Sequence, residues 1–237
     1  MLPVAAAIHA GRLTYYSTSA LHHGRQGDAL LLCWALLGGL SLFVPTQGAG
    51  SPNQVTSSGY HRTALVRQRK SKPFRHWSQK GLVKGSVLDF GSGRGQDCAG
   101  KTIQCFEPNS PKAADRSMPS GTFDTVLLTY VLNVVPKSER KKIVRRAAKM
   151  VAPGGRLLVA VRGTGDGGYQ SARQSWRRAG DGFEKVQKNG TRLRFQRFYP
   201  SGKALADELN AFVPDGFRRA VAGASAQGSV YARVERK

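Results

Sequence analysis

The chain has 237 residues, with 37 Lys and Arg against 14 Asp and Glu, for a formal net charge of +23. That length allows one substantial domain with a core of its own. The charge sets no fold, but it draws polyanions (nucleic acid, an anionic membrane or an acidic partner) unless it is only a solvated basic surface.

Residues 1–58 differ from the rest, with one acid, Asp28, and two strong bases, Arg12 and Arg25. Their apolar run, residues 29–44, falls slightly short of the roughly 20 residues a spanning helix needs. It suits a targeting or anchoring leader with possible membrane contact, with a disordered leader and a packed helix as the other readings. The location follows from that choice: organelle-targeted or membrane-associated if the leader is real, otherwise cytoplasmic. Ser51-Pro52-Asn53-Gln54 and Ser57-Ser58-Gly59 read as a linker.

Residues 59–85 form a basic lead-in without an acid, where Arg62, Arg67, Arg69, Lys70, Lys72, Arg75, Lys80 and Lys84 interleave with Tyr60, Phe74 and Trp77. It reads as helical, interrupted before Pro73. From residue 86 to 237 a single domain is expected. Ser86–Phe90, Thr102–Phe106 and Thr125–Tyr130 read as buried strands. A helix follows from about Lys137 to Val151, with Ser138 as its N-cap and Pro153-Gly154-Gly155 ending it. Arg156–Val161 is the next strand. Strands alternating with helices imply an α/β fold, a mostly parallel sheet with helices on both faces.

Beyond Arg162 the rhythm breaks, and residues 163–200 read as a basic insertion. Ser171–Ala179 is expected as a short basic helix, and Asn189-Gly190 joins Phe183–Gln187 to Arg192–Gln196 as a hairpin. A helix over Ser201–Asn210 and two closing strands, Phe217–Val221 and Val230–Val234, complete the chain. The cysteines, Cys33, Cys98 and Cys105, make no disulfide framework, and no Cys/His cluster has zinc spacing, so no metal is expected and a reducing compartment is the default.

The chemistry concentrates at Val87-Leu88-Asp89-Phe90-Gly91-Ser92-Gly93-Arg94-Gly95. Glycines at a strand end let the backbone turn tightly and approach a ligand without an intervening side chain. Glu107, at the end of the next strand, can accept both ribose hydroxyls of a nucleoside. A glycine turn alone also suits a nicotinamide enzyme.

The glycine turn resembles the first motif of class I S-adenosylmethionine-dependent methyltransferases. Phe106-Glu107-Pro108-Asn109 resembles the second, Phe123–Val135 the fourth-strand motif, and Val151–Val159 the lead into the fifth strand. The resemblance implies a Rossmann-like sheet with an antiparallel closing strand and S-adenosylmethionine as cofactor. Gly91, Ser92, Gly93 and Gly95 would then form the cofactor loop, Asp89 would orient it and Glu107 would bind the ribose. Asn109, Leu128, Thr129 and Tyr130 would flank the adenine or the transferring methyl. Asp97 would hold the methionine amino group or cap the following helix. His61-Arg62-Thr63-Ala64, Gly93–Asp97, Glu107-Pro108-Asn109 and Tyr130–Val135 are similar to a narrower group of methyltransferases found in phage and near DNA-phosphorothioation systems.

Two departures from the family follow from spacing. The few residues between Gly95 and the second strand leave room only for an abbreviated first helix, and those between Asn109 and Phe123 for an abbreviated third-strand region, with Asp115 as the remaining candidate for an adenine contact. The reaction needs alignment and desolvation more than a dedicated base. No Asn/Asp-Pro-Pro-Tyr/Phe follows the fourth-strand motif, so an exocyclic adenine or cytosine amine is not supported, and no Pro-Cys nucleophile is there, so cytosine ring-carbon methylation is not expected. The catalytic residue stays unassigned, with His61 and Tyr130 as candidates, each with a structural reading beside it. Arg173, Trp176, Arg177, Arg178, Lys185, Lys188, Arg192, Arg194, Phe195, Arg197, Phe198 and Tyr199 suit phosphate tracking with base stacking. The acceptor expected is RNA or DNA. The alternatives are a small-molecule or protein acceptor, and a non-catalytic basic adaptor that binds nucleic acid through a degenerate fold.

Overall fold

A computed structural model describes residues 68–99, 103–110, 113–224, 226 and 228–237. The leader, the apolar run 29–44 and His61 lie outside the described residues. Among the described residues, no helix is long and apolar enough to cross a membrane.

In chain order the elements are α1 (Lys72–Gln79), β1 (Val87–Phe90), β2 (Ile103–Phe106), α2 (Ala113–Arg116), β3 (Phe123–Thr129), a 3-10 turn (Leu132–Val134), α3 (Lys137–Lys149), β4 (Val151–Arg162), α4 (Gly168–Ser175), β5 (Arg177–Ala179), β6 (Gly182–Val186), β7 (Arg192–Gln196), α5 (Gly202–Phe212), β8 (Val221–Ala222) and β9 (Ser229–Glu235). Six strands form one sheet in the order β2-β1-β3-β4-β9-β8. The pairs β1–β2, β1–β3 and β3–β4 are parallel, and β9 runs antiparallel to both β4 and β8. The expected mostly parallel sheet with an antiparallel closing strand is therefore present. Its last partner is the short β8, with Phe217 joined only by a single bridge to Arg236, so the expected strand over Phe217–Val221 is mostly open chain.

Strand alternation sends successive side chains to opposite faces. Leu88, Val126, Leu128, Leu157, Val159 and Val161 join Val144, Ala147, Leu205, Leu209 and Phe212 in the main core, which places α3 and α5 on one face. Val87, Leu127, Leu158, Ala160 and Tyr231 meet Phe74 and Trp77 of α1 on the other. Helices cover both faces, as a buried parallel sheet requires.

Local signals account for most helix ends. The Ser71 side chain caps α1 by accepting from Phe74 N, and Pro73 sits in the first turn, where its missing N–H costs nothing. Pro73 thus opens this helix rather than interrupting it. The Ser201 side chain caps α5 in the same way through Ala204 N. The expected Ser138 cap is corrected: α3 starts two residues earlier than that cap implies, at Lys137 after Pro136, without a side-chain cap. Ser138 lies inside the helix and exposed.

Both abbreviations are seen. Where a helix would follow the glycine turn, Gly93–Ala99 makes consecutive tight turns, with Gly95 N donating to Ser92 O at 3.0 Å and Cys98 N to Gly95 O at 3.2 Å. Between β2 and β3 there is one helical turn, α2, and no strand among the described residues. A Cys98–Cys105 disulfide fastens the end of these turns to β2, a bridge that the expectation of no disulfide framework left out.

Residues 177–179, expected as helix, form β5, which pairs with β6. With the expected hairpin β6–β7 it makes a separate three-stranded sheet. Around Asn189-Gly190, Gln187 N donates to Thr191 O at 2.9 Å and Gly190 takes φ +81°, a conformation that costs glycine little. Phe183 packs against Tyr169 of α4 and Phe198, giving this small sheet an aromatic core.

Before β1, Asp124 accepts hydrogen bonds from Ser86 N at 2.8 Å and Ser86 Oγ at 2.9 Å. These bonds, the backbone one first, hold its carboxyl below the ordinary 3.8. A depressed folded pKa means the contribution is complete above the unfolded pKa and lost as pH falls through the folded value. Asp124→Asn is therefore expected to lower the melting temperature at neutral pH, and the gap from wild type to close below about pH 4. A gap that persists into stronger acid would show that the side chain acts through shape alone.

Candidate functional site

The site is built where β1 and β3 end side by side. After Phe90 the chain turns at Gly91, φ +85°, where any side chain would run into Val131 following β3. Gly91 N and Ser92 N both donate to Phe106 O of β2, at 2.7 and 3.1 Å. The turn is thus pinned between the two neighbouring strands.

Glu107 leaves the end of β2 beside it. Its carboxylate accepts from Gly93 N at 3.0 Å and from Asn109 N at 3.2 Å, with Asn109 Nδ2 at 3.5 Å. A carboxylate held by backbone N–H groups on a glycine turn is fixed in place while keeping acceptor capacity for ligand hydroxyls. Asp115 lies behind it: its backbone O accepts from Glu107 N at 2.7 Å and its side chain accepts from Ser110 Oγ at 3.2 Å. Its carboxylate therefore braces the second motif.

Asp89 is buried at the end of β1, with the Cys98 sulfur 3.9 Å from its Oδ2. Asp97 has a partner that neither sequence reading included. It is buried and its Oδ1 accepts from Ser71 N at 2.6 Å, so it ties the glycine-turn segment to the start of α1. That contact spans 26 residues, and no local pattern announces it. Ser71 itself was missed by sequence reasoning, and Pro73 two residues on was the available signal that a capped helix begins there.

Leu128 is fully buried in the main core beneath the site. Thr129 is buried and its Oγ1 has no hydrogen-bond partner, as is also true of Ser92 Oγ and the side-chain amide of Asn133 in the 3-10 turn. Orphaned polar groups cost free energy that a ligand can recover. Their position at the ends of β1 and β3 is where open α/β sheets bind ligands. Tyr130 follows, the one described non-glycine residue with positive φ, at +61°.

Residues 163–200 abut the same end of the sheet. Arg197 N donates to Asn133 O at 2.7 Å, and Tyr199 N donates to Arg162 O, the last residue of β4, at 2.9 Å. Expected base-stacking residues among them are corrected: Phe195 and Tyr199 are buried, and Phe198 packs against Tyr169. Tyr199 belongs to the main core, and Trp176 alone among those expected for stacking remains half-exposed away from these ring contacts. An open groove of about 730 Å³, lined by Asn210, Val213, Phe217 and Arg219 among others, contains none of the site residues.

A sheet with one reversed strand, a glycine turn after its first strand and a carboxylate after the second defines a nucleoside-binding α/β protein. A family model described as a methyltransferase domain matches residues 61–212. That is more than half of the chain, and the chain belongs to this methyltransferase family. Compared with curated proteins by sequence, it matches none. Among solved structures it is similar to an S-adenosylmethionine-dependent methyltransferase of Thermotoga maritima, described as a possible histamine N-methyltransferase, at 15% identity and TM-score 0.50, covering 75% of this chain and 92% of that one. It is also similar to DhpI in complex with S-adenosylhomocysteine, at 16% identity and TM-score 0.49, covering 69% and 82%. The glycopeptide N-methyltransferase MtfA with sinefungin gives 16% identity and TM-score 0.47, covering 70% and 93%.

Proposed function

We propose that the protein transfers a methyl group from S-adenosylmethionine to a nucleic acid. Family membership supports the transfer, and the donor set at the ends of β1, β2 and β3 fits the cofactor. Glu107 would accept the ribose hydroxyls, and Gly91, Ser92, Gly93 and Gly95 would let the backbone lie against the methionine and ribose. Ser92 Oγ and Thr129 Oγ1, now without partners, have unused donor and acceptor capacity. Asp89 would orient the loop, with Asn109 and Tyr130 at its flanks. The bound cofactor supplies a methyl carbon on a sulfonium, an electrophile that carries its own leaving group. The chain's part is then to bind, to align and to exclude water.

The observation that carries the acceptor class is the charge on the insertion. Arg173, Arg177, Arg178, Lys185, Lys188, Arg192 and Arg194 are exposed on α4 and the small sheet, and Glu184 is already paired with Arg177 and Arg192. This surface belongs to the insertion that meets the ends of β3 and β4 through Asn133 and Arg162. Fixed cations beside an alignment site favour a phosphate backbone. The motif likeness to methyltransferases of phage and DNA-phosphorothioation systems would narrow the family without naming an acceptor, which is argued from this charge.

Labelled-methyl transfer offered to total RNA, DNA, protein and metabolites tests the proposal: label is expected in nucleic acid, and label confined to metabolites or protein overturns the acceptor. A second expected outcome concerns the surface itself. Wild type should lose single-stranded oligonucleotide with rising salt, and the triple variant Lys185→Glu, Lys188→Glu, Arg194→Glu should flatten that salt slope by about 2, at roughly 0.7 per lost phosphate contact. An unchanged slope would remove the insertion from the acceptor site.

A further inference from the structure

β2 is the edge of the main sheet, four residues long, and among the described residues its one strand partner is β1. The abbreviated stretch after Asn109 supplies one helical turn and, among the described residues, no strand to cover that edge. Yet β2 shapes the glycine turn. Phe106 O accepts from Gly91 N and Ser92 N, and Glu107, the next residue, accepts from Gly93 N. A short edge strand with one partner sits at the low-stability end of a fold and opens readily. The Cys98–Cys105 disulfide crosses this weak point. Cys105 pairs in register with Asp89 of β1, and Cys98 Sγ lies 3.9 Å from Asp89 Oδ2. A Cβ added at Gly95 would stand 3.5 Å from Cys105 Sγ, so the last glycine of the turn packs on the bridge. Cys98 N in turn donates to Gly95 O at 3.2 Å. The bridge thus touches the glycine turn, β1 and β2 together, two residues before Glu107. Both cysteines are half-buried rather than sealed in the core, so a small thiol can reach them.

We propose that the Cys98–Cys105 bridge is a redox latch on the cofactor site: closed, it holds the glycine turn against β2 in the geometry that takes S-adenosylmethionine, and opened by a dithiol it releases that geometry. In the opening step one thiolate of the dithiol attacks a bridge sulfur and the S–S bond breaks, leaving a mixed disulfide. The second thiolate of the same dithiol then attacks that mixed disulfide and frees the chain. Two electrons and two protons pass to the chain, Cys98 and Cys105 end as thiols, and the dithiol leaves as its own disulfide. Closure is the reverse exchange with a disulfide oxidant such as oxidised glutathione. The bonds from Gly91 N and Ser92 N to Phe106 O are not covalently tied to the bridge, and the main core lies away from it. Opening therefore loosens the turn and the β2 edge without unfolding the sheet. A reduced turn that keeps the binding geometry about a tenth of the time would bind about tenfold more weakly, since only the competent fraction takes ligand.

This inference rests on the methyltransferase reading, and the full chain in two redox states separates the two. After oxidised glutathione, thiol labelling of the denatured protein should count one free cysteine of the three, and after dithiothreitol all three. Calorimetry with S-adenosylhomocysteine is expected to show about tenfold weaker binding in the reduced state, recovered on reoxidation. Without ligand, the Gly91, Ser92 and Gly93 amides should exchange hydrogen faster once reduced, while Val126 and Val159 in the core strands keep their protection. The double variant Cys98→Ser, Cys105→Ser should bind as reduced wild type does and ignore dithiothreitol, and Cys33→Ser should keep the full response. Affinity within twofold between the two states overturns the latch. So does a third free thiol in the oxidised protein, a double variant that still responds to dithiothreitol, or a reduced protein that has lost its cooperative thermal transition, since the bridge would then be a staple for the whole fold. If the oxidised protein, with its bridge counted, binds no S-adenosylhomocysteine, the cofactor reading fails and takes the latch with it.

Discussion

Glu107→Ala is expected to weaken S-adenosylmethionine binding by about 3 kcal/mol, on the order of a hundredfold, since charge-assisted hydrogen bonds contribute about 1.5–3 kcal/mol each and two ribose hydroxyls would lose their acceptor. The carboxylate stands at the junction of the two site-forming segments, accepting from Gly93 N on the glycine turn and Asn109 N after β2. Its removal therefore loosens the turn as well as deleting the acceptor. Glu107→Gln retains one oxygen acceptor and should lose less. Calorimetry with S-adenosylmethionine and S-adenosylhomocysteine measures both, and thermal unfolding checks that the fold survives. Affinity within twofold of wild type would take Glu107 out of the site.

Arg140→Ala is expected to cost about 3–5 kcal/mol of stability, because it removes a fully buried side chain and one of the two cations that neutralise the buried Glu208. Arg140 is fully buried on α3, yet it meets Asp181 between β5 and β6, Glu208 of α5 at 2.6 Å and Val135 O at 2.9 Å. Arg197 closes the cluster, 2.5 Å from Asp181 and 2.7 Å from Glu208, and its guanidinium stacks over the Tyr199 ring at 4.1 Å. Burial works against the charge on Arg140, but Tyr199, Asp181 and Glu208 outweigh it and raise its pKa above the ordinary value. Burial first, then Glu208, pushes the Tyr199 phenol up, so it stays neutral. The cluster ties Asp181 of the small sheet's β5–β6 turn to α3 and α5. The variant should melt about 10 °C lower and become sensitive to proteolysis within residues 163–200 before the main sheet unfolds. A melting temperature within a degree or two of wild type would mean that the apolar contacts of residues 163–200 suffice.

Local pattern was enough wherever one short stretch carries its own physics. β1, β2 and β3 read from apolar runs, the glycine turn from Gly91, Gly93 and Gly95, the β6–β7 hairpin from Asn189-Gly190, and α5 from Ser201. The abbreviated first helix and third-strand region were legible from spacing alone, because a helix or strand cannot be built from residues that are not there. Helix starts were less secure. Ser138 is an ordinary capping residue by type, but Pro136 places the start of α3 before it. Arg177–Ala179 has helical company in sequence and becomes β5 because β6 offers its edge.

What the sequence by itself determined is the class: a parallel α/β sheet, a nucleoside turn and a carboxylate behind it, all set by periods of two and 3.6 residues and by glycine's freedom of φ. Tertiary structure decided the rest. It directed Asp97 to Ser71, joined Cys98 to Cys105, gathered Arg140, Asp181, Arg197 and Glu208, turned Phe195 and Tyr199 inward, and set Tyr130 against Ser229. Several of these contacts join residues far apart in the chain, and their partners are chosen by packing and charge compensation in three dimensions. No local periodicity encodes such choices, which is why the glycine turn could be read in advance and these long-range contacts could not.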